Sequence, residues 1–464
     1  MGNLLYGLNI AANTLRAQTD VINVTAHNIA NANTPGYSRQ QVRLVAVADL
    51  SQEGIRMAST LPIGGGVMVD QVSRTRNALY DELYRKENQN LNFNVTTESL
   101  LKQVEILFNE PSDSGFSSVI NSFFNSWLDL SSQPESTAAR QSLYSVAVDM
   151  TGRLKSMYQS GTIMREDINK EIAGIPEDMN RIFSEIADLN VAIRKQEVSL
   201  GPANDLRDKR DVLIDELTEY TDVRAIEKQD GTTTVLIGDK VVVERETFST
   251  LSVKSVAIND EGLTRTVLVA EDGTEYEPTH GRLGGLMEVR DNILVDLMSD
   301  LNTLAGGIVE TINAQHNAGY GLDGETGRNF FDPDKVKAYS ISVSEDIADL
   351  SHIAASGDGS IGDNSNALAI NDLKSSKVLD GNYTLSDFYN GIVSDIGILG
   401  KNAKDSRASQ ELLLTQIDNA RETIKGVSID EEMVQLIQAQ RIYQSASKLI
   451  VVMDQLLEEL INLK

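Results

Sequence analysis

No cysteine occurs in the 464 residues. That excludes disulfides, thiolate metal ligands and a cysteine nucleophile. Positive charge is scarce: 41 Lys and Arg face 68 Asp and Glu, a formal net charge of −27. Phosphate recognition needs the opposite sign, so neither nucleic acid nor an anionic membrane is an expected partner. No apolar run approaches the ~18 residues of a membrane span. The first 15 residues carry no Lys or Arg and are interrupted by Asn3, Asn9 and Asn13, so no cleaved signal peptide is read there. The four histidines (His27, His280, His316 and His352) are far apart in sequence, which removes any zinc-type spacing. What is present suffices for a large core, and the length is a prior for ~3 domains.

The start of the chain is poor in charge. Of the first 38 residues only Arg16 and Asp20 are charged, while seven are asparagines. Leu4, Leu8, Ala11, Leu15, Gln18, Ile22, Thr25 and Ile29 alternate by four and three, as coiled-coil seams do. A solvated helix would show charges on its outer face; this one shows amides and alanines. It reads either as a core helix or as an assembly helix. Asn31-Ala32-Asn33-Thr34-Pro35-Gly36-Tyr37 stops it, and Pro35-Gly36 suits the centre of a type II turn.

The end of the chain mirrors this. Ile429 to Lys464 lacks Gly and Pro, and Ile442, Ala446, Leu449, Met453, Leu456 and Leu460 repeat the spacing. Ser428 ahead of Asp430, Glu431 and Glu432 is an N-cap candidate with acids at the positive helix end. The two terminal helices are expected to pair with each other or with neighbouring copies.

Between them, residues 80–220 read as mostly helical, with Ile168 to Ile193 keeping the seam spacing across Pro176. That proline predicts a kink or a fresh start. Asn204 to Asp211 is crowded with charge and reads as a solvated face laced by i,i+4 pairs. Val, Ile and Thr with tight-turn dipeptides mark 222–283 as short antiparallel strands. Residues 40–78 look extended. The expected fold is mainly α with an inserted β domain, elongated and multi-domain. Its parts are 1–38 with 428–464 as a paired terminal coiled coil, 39–221 with 284–427 as a helical middle domain, and 222–283 as an outer β domain.

Chemistry is hard to find. Gly64-Gly65-Gly66 lacks the lysine of a P-loop. Ser445 and Lys448 match a serine–lysine spacing only inside a heptad helix. The loop Asp358 to Asn364 resembles a calcium loop, but Ala369 stands where a bidentate acid belongs. Neither a catalytic residue, a metal site nor a cofactor is expected.

Ala26-His27-Asn28-Ile29-Ala30-Asn31-Ala32-Asn33-Thr34-Pro35-Gly36-Tyr37-Ser38-Arg39-Gln40 resembles the signature of bacterial flagellar rod, hook and hook-associated proteins. Further blocks resemble one member, the family of first hook–filament junction proteins (hook-associated protein 1). They are Asn204 to Leu217, Gly284-Gly285-Leu286 to Arg290-Asp291, His316 to Tyr320 with Phe330-Phe331, Gly362 to Leu368, and Gln438 to Ala446. The β insert matches nothing in it. The resemblance implies a structural role on the distal end of the hook, beneath the second junction protein and the filament. It implies export by the flagellar type III apparatus without a cleaved signal, to an extracellular place in the flagellum. Implied partners are other copies, the hook protein, the second junction protein and an export chaperone at the C-terminal helix. The implied axial interface comprises Leu4, Leu8, Leu15, Ile22, Asn28, Ile29, Asn31, Asn33, Pro35, Gly36 and Tyr37 with Tyr443, Leu449, Met453, Leu456 and Leu460. Alternatives are another axial protein, the hook subunit or the second junction protein, or a cytosolic coiled-coil adaptor. The terminal helices, lacking partners in a monomer, are expected to be poorly ordered there.

Overall fold

The computed structural model describes residues 2–47, 64–108, 110, 112, 115–199, 201–258, 263–379 and 381–462, excepting the side chains of residues 2–5. Helix dominates, as expected, with small antiparallel sheets set between helical segments.

Helix α1 (Gly2–Asn31) and helix α10 (Ile429–Asn462) pair with each other. Asn28 bonds Glu432, and a Cβ added to Gly7 would come within 2.9 Å of Met453 Cε, so the pair is antiparallel. On α1 the seam holds: Ala11, Gln18 and Thr25 are buried, and Leu8, Leu15, Ile22 and Ile29 half-buried. On α10 the buried positions are Glu432, Ala439 and Ala446, with Met453 half-buried. Leu449, Leu456 and Leu460 remain exposed. Small residues allow close backbone approach, so they take the contact face and leave the large ones outside.

Strands β1 (Gln40–Ala46) and β2 (Val67–Arg74) form an antiparallel hairpin lying on α1. Asn13 Nδ2 donates to the Gly65 carbonyl at 3.1 Å. The expected extended stretch therefore exists at both ends; its middle lies outside the described residues.

The helical core comes from α2 (Ala78–Phe108), α3 (Phe116–Ser132), α4 (Thr137–Ser199), α5 (Asn204–Tyr220), α6 (Gly281–Glu288), α7 (Leu294–Ala318), α8 (Ser365–Asp372) and α9 (Leu385–Lys425). The 63 residues of α4 make a rod about 95 Å long. Ile168, Ile172, Ile175, Met179, Ile182, Ile186 and Ile193 are buried along it. The fresh start expected at Pro176 is absent: α4 runs through it as one helix. Pro176 is itself buried among that row, so packing on both sides offsets the lost backbone hydrogen bond.

Strands β3 (Val223–Glu227), β4 (Thr233–Ile237), β5 (Lys240–Glu244) and β6 (Thr247–Phe248) form one sheet. Strands β7 (Leu251–Ala257), β8 (Thr264–Ala270) and β9 (Glu275–Tyr276) form a second. Both are antiparallel meanders. Gly238, at φ +56, turns the two-residue β4–β5 link.

Two of the internal sequence blocks lie in the core, Gly284 to Asp291 and His316 with Phe330-Phe331. A Cβ on Gly285 would clash with the Phe93 backbone, so that glycine lets α6 approach α2, while one on Gly284 would clash with the Thr279 backbone just ahead of α6. His316 packs against Trp127 and Phe330. Its Nδ1 donates to the Arg328 carbonyl (2.8 Å), and its Nε2 accepts from the Ala354 N–H (2.9 Å). Burial pushes this imidazole down to about 4, keeping it neutral.

Candidate functional site

The chain passes between the terminal pair and the helical core at two places, residues 32–39 and 426–428. The signature loop is at the first. Its turn closes where the Tyr37 N–H donates to the Thr34 carbonyl at 3.1 Å. Gly36 takes φ +76, and a Cβ there would collide with the Val212 side chain. Conformation and space both demand glycine at this position.

Asn28 is the hub. Its Oδ1 accepts from the Tyr37 hydroxyl (2.7 Å) and the Gln40 N–H (3.0 Å). Its Nδ2 donates to the Gln40 carbonyl (2.8 Å) and to Glu432 (2.9 Å). One buried amide uses its whole bonding capacity to fix α1, the turn, the start of β1 and the first turn of α10. Tyr37 gives its hydrogen to Asn28, so the His27 Nδ1, 3.0 Å away, is the donor to Tyr37; this tautomer is assigned from the network. Burial first, then the carboxylates of Asp205, Asp208 and Glu432, raise the phenol well above its ordinary range. The hydroxyl therefore stays protonated and remains a donor.

The next two residues clamp the loop. Ser38 is fully buried and donates to Asp208 twice, from N–H and from Oγ, each at 2.8 Å. Arg39 Nε donates to Glu432 at 2.7 Å, and the Arg39 N–H to the Lys425 carbonyl at the end of α9 (2.8 Å). The loop thus touches both chain crossings.

Asp208 opens a row with Asp211 and Asp215, which lie on one face of α5. Arg74 bridges Asp208 (2.7 Å) and Asp211 (2.8 Å). Arg76 binds Asp211 (2.6 Å) and grips both oxygens of Asp81. Arg85 binds Asp215 at 2.6 Å. Arg421, 4.1 Å over the Tyr84 ring, joins Asp81 (2.9 Å) to Asp215 (2.7 Å). Four guanidinium groups from β2, α2, α9 and the link before α2 meet four carboxylates. Burial alone would raise Asp211, but Arg76, Arg74 and Arg85 hold it at about 2. At Asp208 burial wins over the Arg74 pair and the shift is upward.

The solvated face expected at Asn204 to Asp211 is corrected here: α5 is where the charge is buried. Three acids at helical spacing on one face would repel one another unless cations arrive from elsewhere. That was the readable signal, with Arg74-x-Arg76 as its complement. Ser38 and Arg39 were legible only as part of the motif. Asp208, Asp211, Asp215, Glu432, Arg85 and Arg421 were missed as site residues.

The structure gathers Asn28, Asn31, Gly36 and Tyr37 of the expected interface. Asn31 Nδ2 donates to the His27 carbonyl and its Oδ1 accepts from Thr34. Asn33 and Pro35 are exposed beside them. Leu8, Leu15, Ile22, Ile29 and Met453 lie in the helix pair, half-buried. Tyr443, Leu449, Leu456 and Leu460 are not gathered in; each is 40–44% exposed. The side chain of Leu4 lies outside the described residues. Among the described residues no three His, Asp or Glu groups cluster to hold a metal. The Asp363 carboxylate in the acidic loop is taken by Ser356, Gly357 and Ser365.

The chain is similar to known proteins in three stretches and over its whole length. Residues 101–331 match the helical domain of the flagellar hook-associated protein FlgK. Residues 8–37 match the flagella basal body rod protein family, and 424–463 the C-terminal region of the rod proteins FlgEFG. Flagellar hook-associated protein 1 of Bacillus subtilis is 30% identical, over 100% of this chain and 99% of its own length. The Salmonella typhimurium protein of that name is 25% identical, over 98% and 99%. The solved flagellar hook junction protein FlgK of Burkholderia pseudomallei superposes with a TM-score of 0.65 at 16% identity, over 75% of this chain and all of that one.

Proposed function

The chain belongs to the flagellar hook-associated protein 1 family, and from that premise we propose how its parts do the work. It is a structural protein of the bacterial flagellum at the hook–filament junction, and it self-assembles into the axial structure with hook-related proteins. In our reading the α1–α10 pair forms the inner axial domain, residues 1–38 with 428–464. The helical core (39–221 with 284–427) and the β insert (222–283) stand outside it. The hook protein lies beneath the assembled copies and the second junction protein above. The chain is exported without a cleaved signal, escorted by a chaperone on α10. Its role is mechanical, not catalytic.

The observation that carries this is the uncovered strip on α10. Ile442, Leu449, Leu456 and Leu460 are 40–46% exposed, on a helix whose other face is already engaged by α1. Apolar side chains repeated along one helix face want a partner, and the described residues of the monomer supply none. The contacts of Asn28 and Arg39 with Glu432, and of Ser38 with the buried Asp–Arg row of α5, form a joint that gives that strip a fixed bearing relative to the core. Deletion of the gene tests the reading. We expect hooks without filaments, with flagellin shed into the medium; normal filaments would overturn it.

A further inference from the structure

The two sheets of the β insert stop short of completing their own edges. β9 covers β8 only at Leu268 and Val269, and β5 covers β4 only from Val235 to Ile237. Peptide groups of Thr264 and Thr266 on β8, of Thr233 on β4 and of Leu251 on the edge strand β7 therefore have no strand on their outer side among the described residues. Backbone groups away from water need partners.

Helix α4 supplies them from Asn169, Asn180 and Asn190, which stand about three turns apart. A side-chain amide carries the same donor and acceptor as a peptide group. Asn180 accepts from the Leu251 N–H and donates to the Leu251 carbonyl, both at 2.8 Å. Asn190, fully buried, does the same at Thr233, at 3.0 and 2.9 Å. Asn169 accepts from the Thr266 N–H (2.9 Å) and donates to the Thr264 carbonyl (3.0 Å).

Two arginines of the internal sequence blocks stand behind this row, Arg210 on α5 and Arg290 in a wider π-type turn, Val289–Ile293. Each is 1% exposed. Arg290 Nη1 donates to Asn169 Oδ1 (2.9 Å) and to the Thr266 carbonyl (2.6 Å). Arg210 Nη1 donates to Asn190 Oδ1 (3.0 Å) and to the Gly231 carbonyl (2.7 Å). Asn190 also donates to the Arg245 carbonyl at 2.8 Å, in the turn where Arg245 takes φ +54, uncommon for a residue other than glycine. The apolar side agrees: Val235, Ile237, Leu251 and Leu268 belong to one continuous core with the buried row of α4.

We infer that α4 serves as the missing edge of both sheets. Asn169, Asn180 and Asn190, backed by Arg290 and Arg210, hold the β insert at a fixed bearing on the rod and keep it folded. A domain with its own core could swing or fold alone; this insert turns with α4 and needs it.

The absence of cysteine makes the test clean. Spin labels on Lys195→Cys of α4 and Lys254→Cys of β7, both exposed in the native chain, report the distance between rod and insert in the full-length monomer. We expect one narrow distance, and a distribution at least twice as broad when all three asparagines are alanine, with exchange at residues 143–158 unchanged. In single variants hydrogen exchange should rise about tenfold at the matching amide: Thr266 in Asn169→Ala, Leu251 in Asn180→Ala, Thr233 in Asn190→Ala. Asn180→Ala leaves no buried arginine short of a partner, so it decides the matter if the triple variant unfolds the rod. A broad distance in the unaltered insert, a triple variant as narrow as the parent, or Leu251 exchange unmoved in Asn180→Ala would overturn the inference. All of this is read on the monomer, so its failure leaves the junction reading standing, and the gene deletion tests that reading separately.

Discussion

Helices α1 and α5 are opposites that exchange the roles their compositions suggest. α1 has two charges in 30 residues and, with α10, leaves apolar surface uncovered. α5 has nine charged residues in 17 and turns three of its acids into the interior joint. Charge density does not decide exposure; the supply of partners does. The acids of α5 find Arg74, Arg76, Arg85 and Arg421 within the chain. Among the described residues, nothing covers the outer face of α10. α5 is built to be finished within this chain, the α1–α10 pair in an assembly.

The largest expected effect breaks the α5 side. Asp211→Ala leaves three guanidinium groups without their shared acid, and removing one partner of a buried pair costs about 3–5 kcal/mol. Urea unfolding of the monomer should show that loss, whereas Leu456→Asp should not.

A pH series separates the joint from the core. Below ~6.5 the unfolded chain protonates His316 first, because the folded value is about 4. Stability contributed by neutral His316 is full above ~6.5 and about 3 kcal/mol is gone by pH ~4. Asp211 follows: its folded value of about 2 lies below the ordinary ~3.9. Its contribution, on the order of 2 kcal/mol, is present above pH ~4 and lost as pH falls to ~2. Asp208, shifted upward, has the opposite sign and blunts this second step. His316→Gln should abolish the first step and leave the second.

Ser38→Ala removes one of two bonds to Asp208 and leaves that carboxylate less satisfied, at a cost of about 1–2 kcal/mol. The change should appear as faster hydrogen exchange in residues 21–40 with the core unaffected. Smallest for the monomer is Leu456→Asp, expected within about 0.5 kcal/mol of wild type because the residue is 43% exposed. The same change should stop filament formation, because an assembled copy would bury that charge.

How much was legible follows the same division. Periodicity located α1, α10 and the row on α4, and turn dipeptides located the strands, because these are local signals. On α1 the seam was right residue by residue at Ala11, Gln18 and Thr25. On α10 the seam included Ala446 and Met453, which do face α1, but it also took in Ile442, Leu449, Leu456 and Leu460, which stay exposed, and it left out Glu432 and Ala439. Apolar spacing cannot tell which of two stripes meets the partner in the same chain. The joint was invisible for a different reason. Its pairs link residues such as Ser38 and Asp208 or Asp81 and Arg421, far apart in sequence, and only the fold brings them together. The helix through Pro176 shows tertiary packing overriding a local rule.

The central claim is that the signature loop fixes the near ends of α1 and α10 to the core, while their far ends await other copies. Hydrogen exchange on the monomer, with and without Asp208→Ala, tests it most directly. We predict protection at residues 168–193, comparable protection at 21–31, fast exchange toward residue 4, and loss of the 21–31 protection in the mutant. Uniform protection along the whole of α1, or a mutant indistinguishable from wild type, would contradict the account.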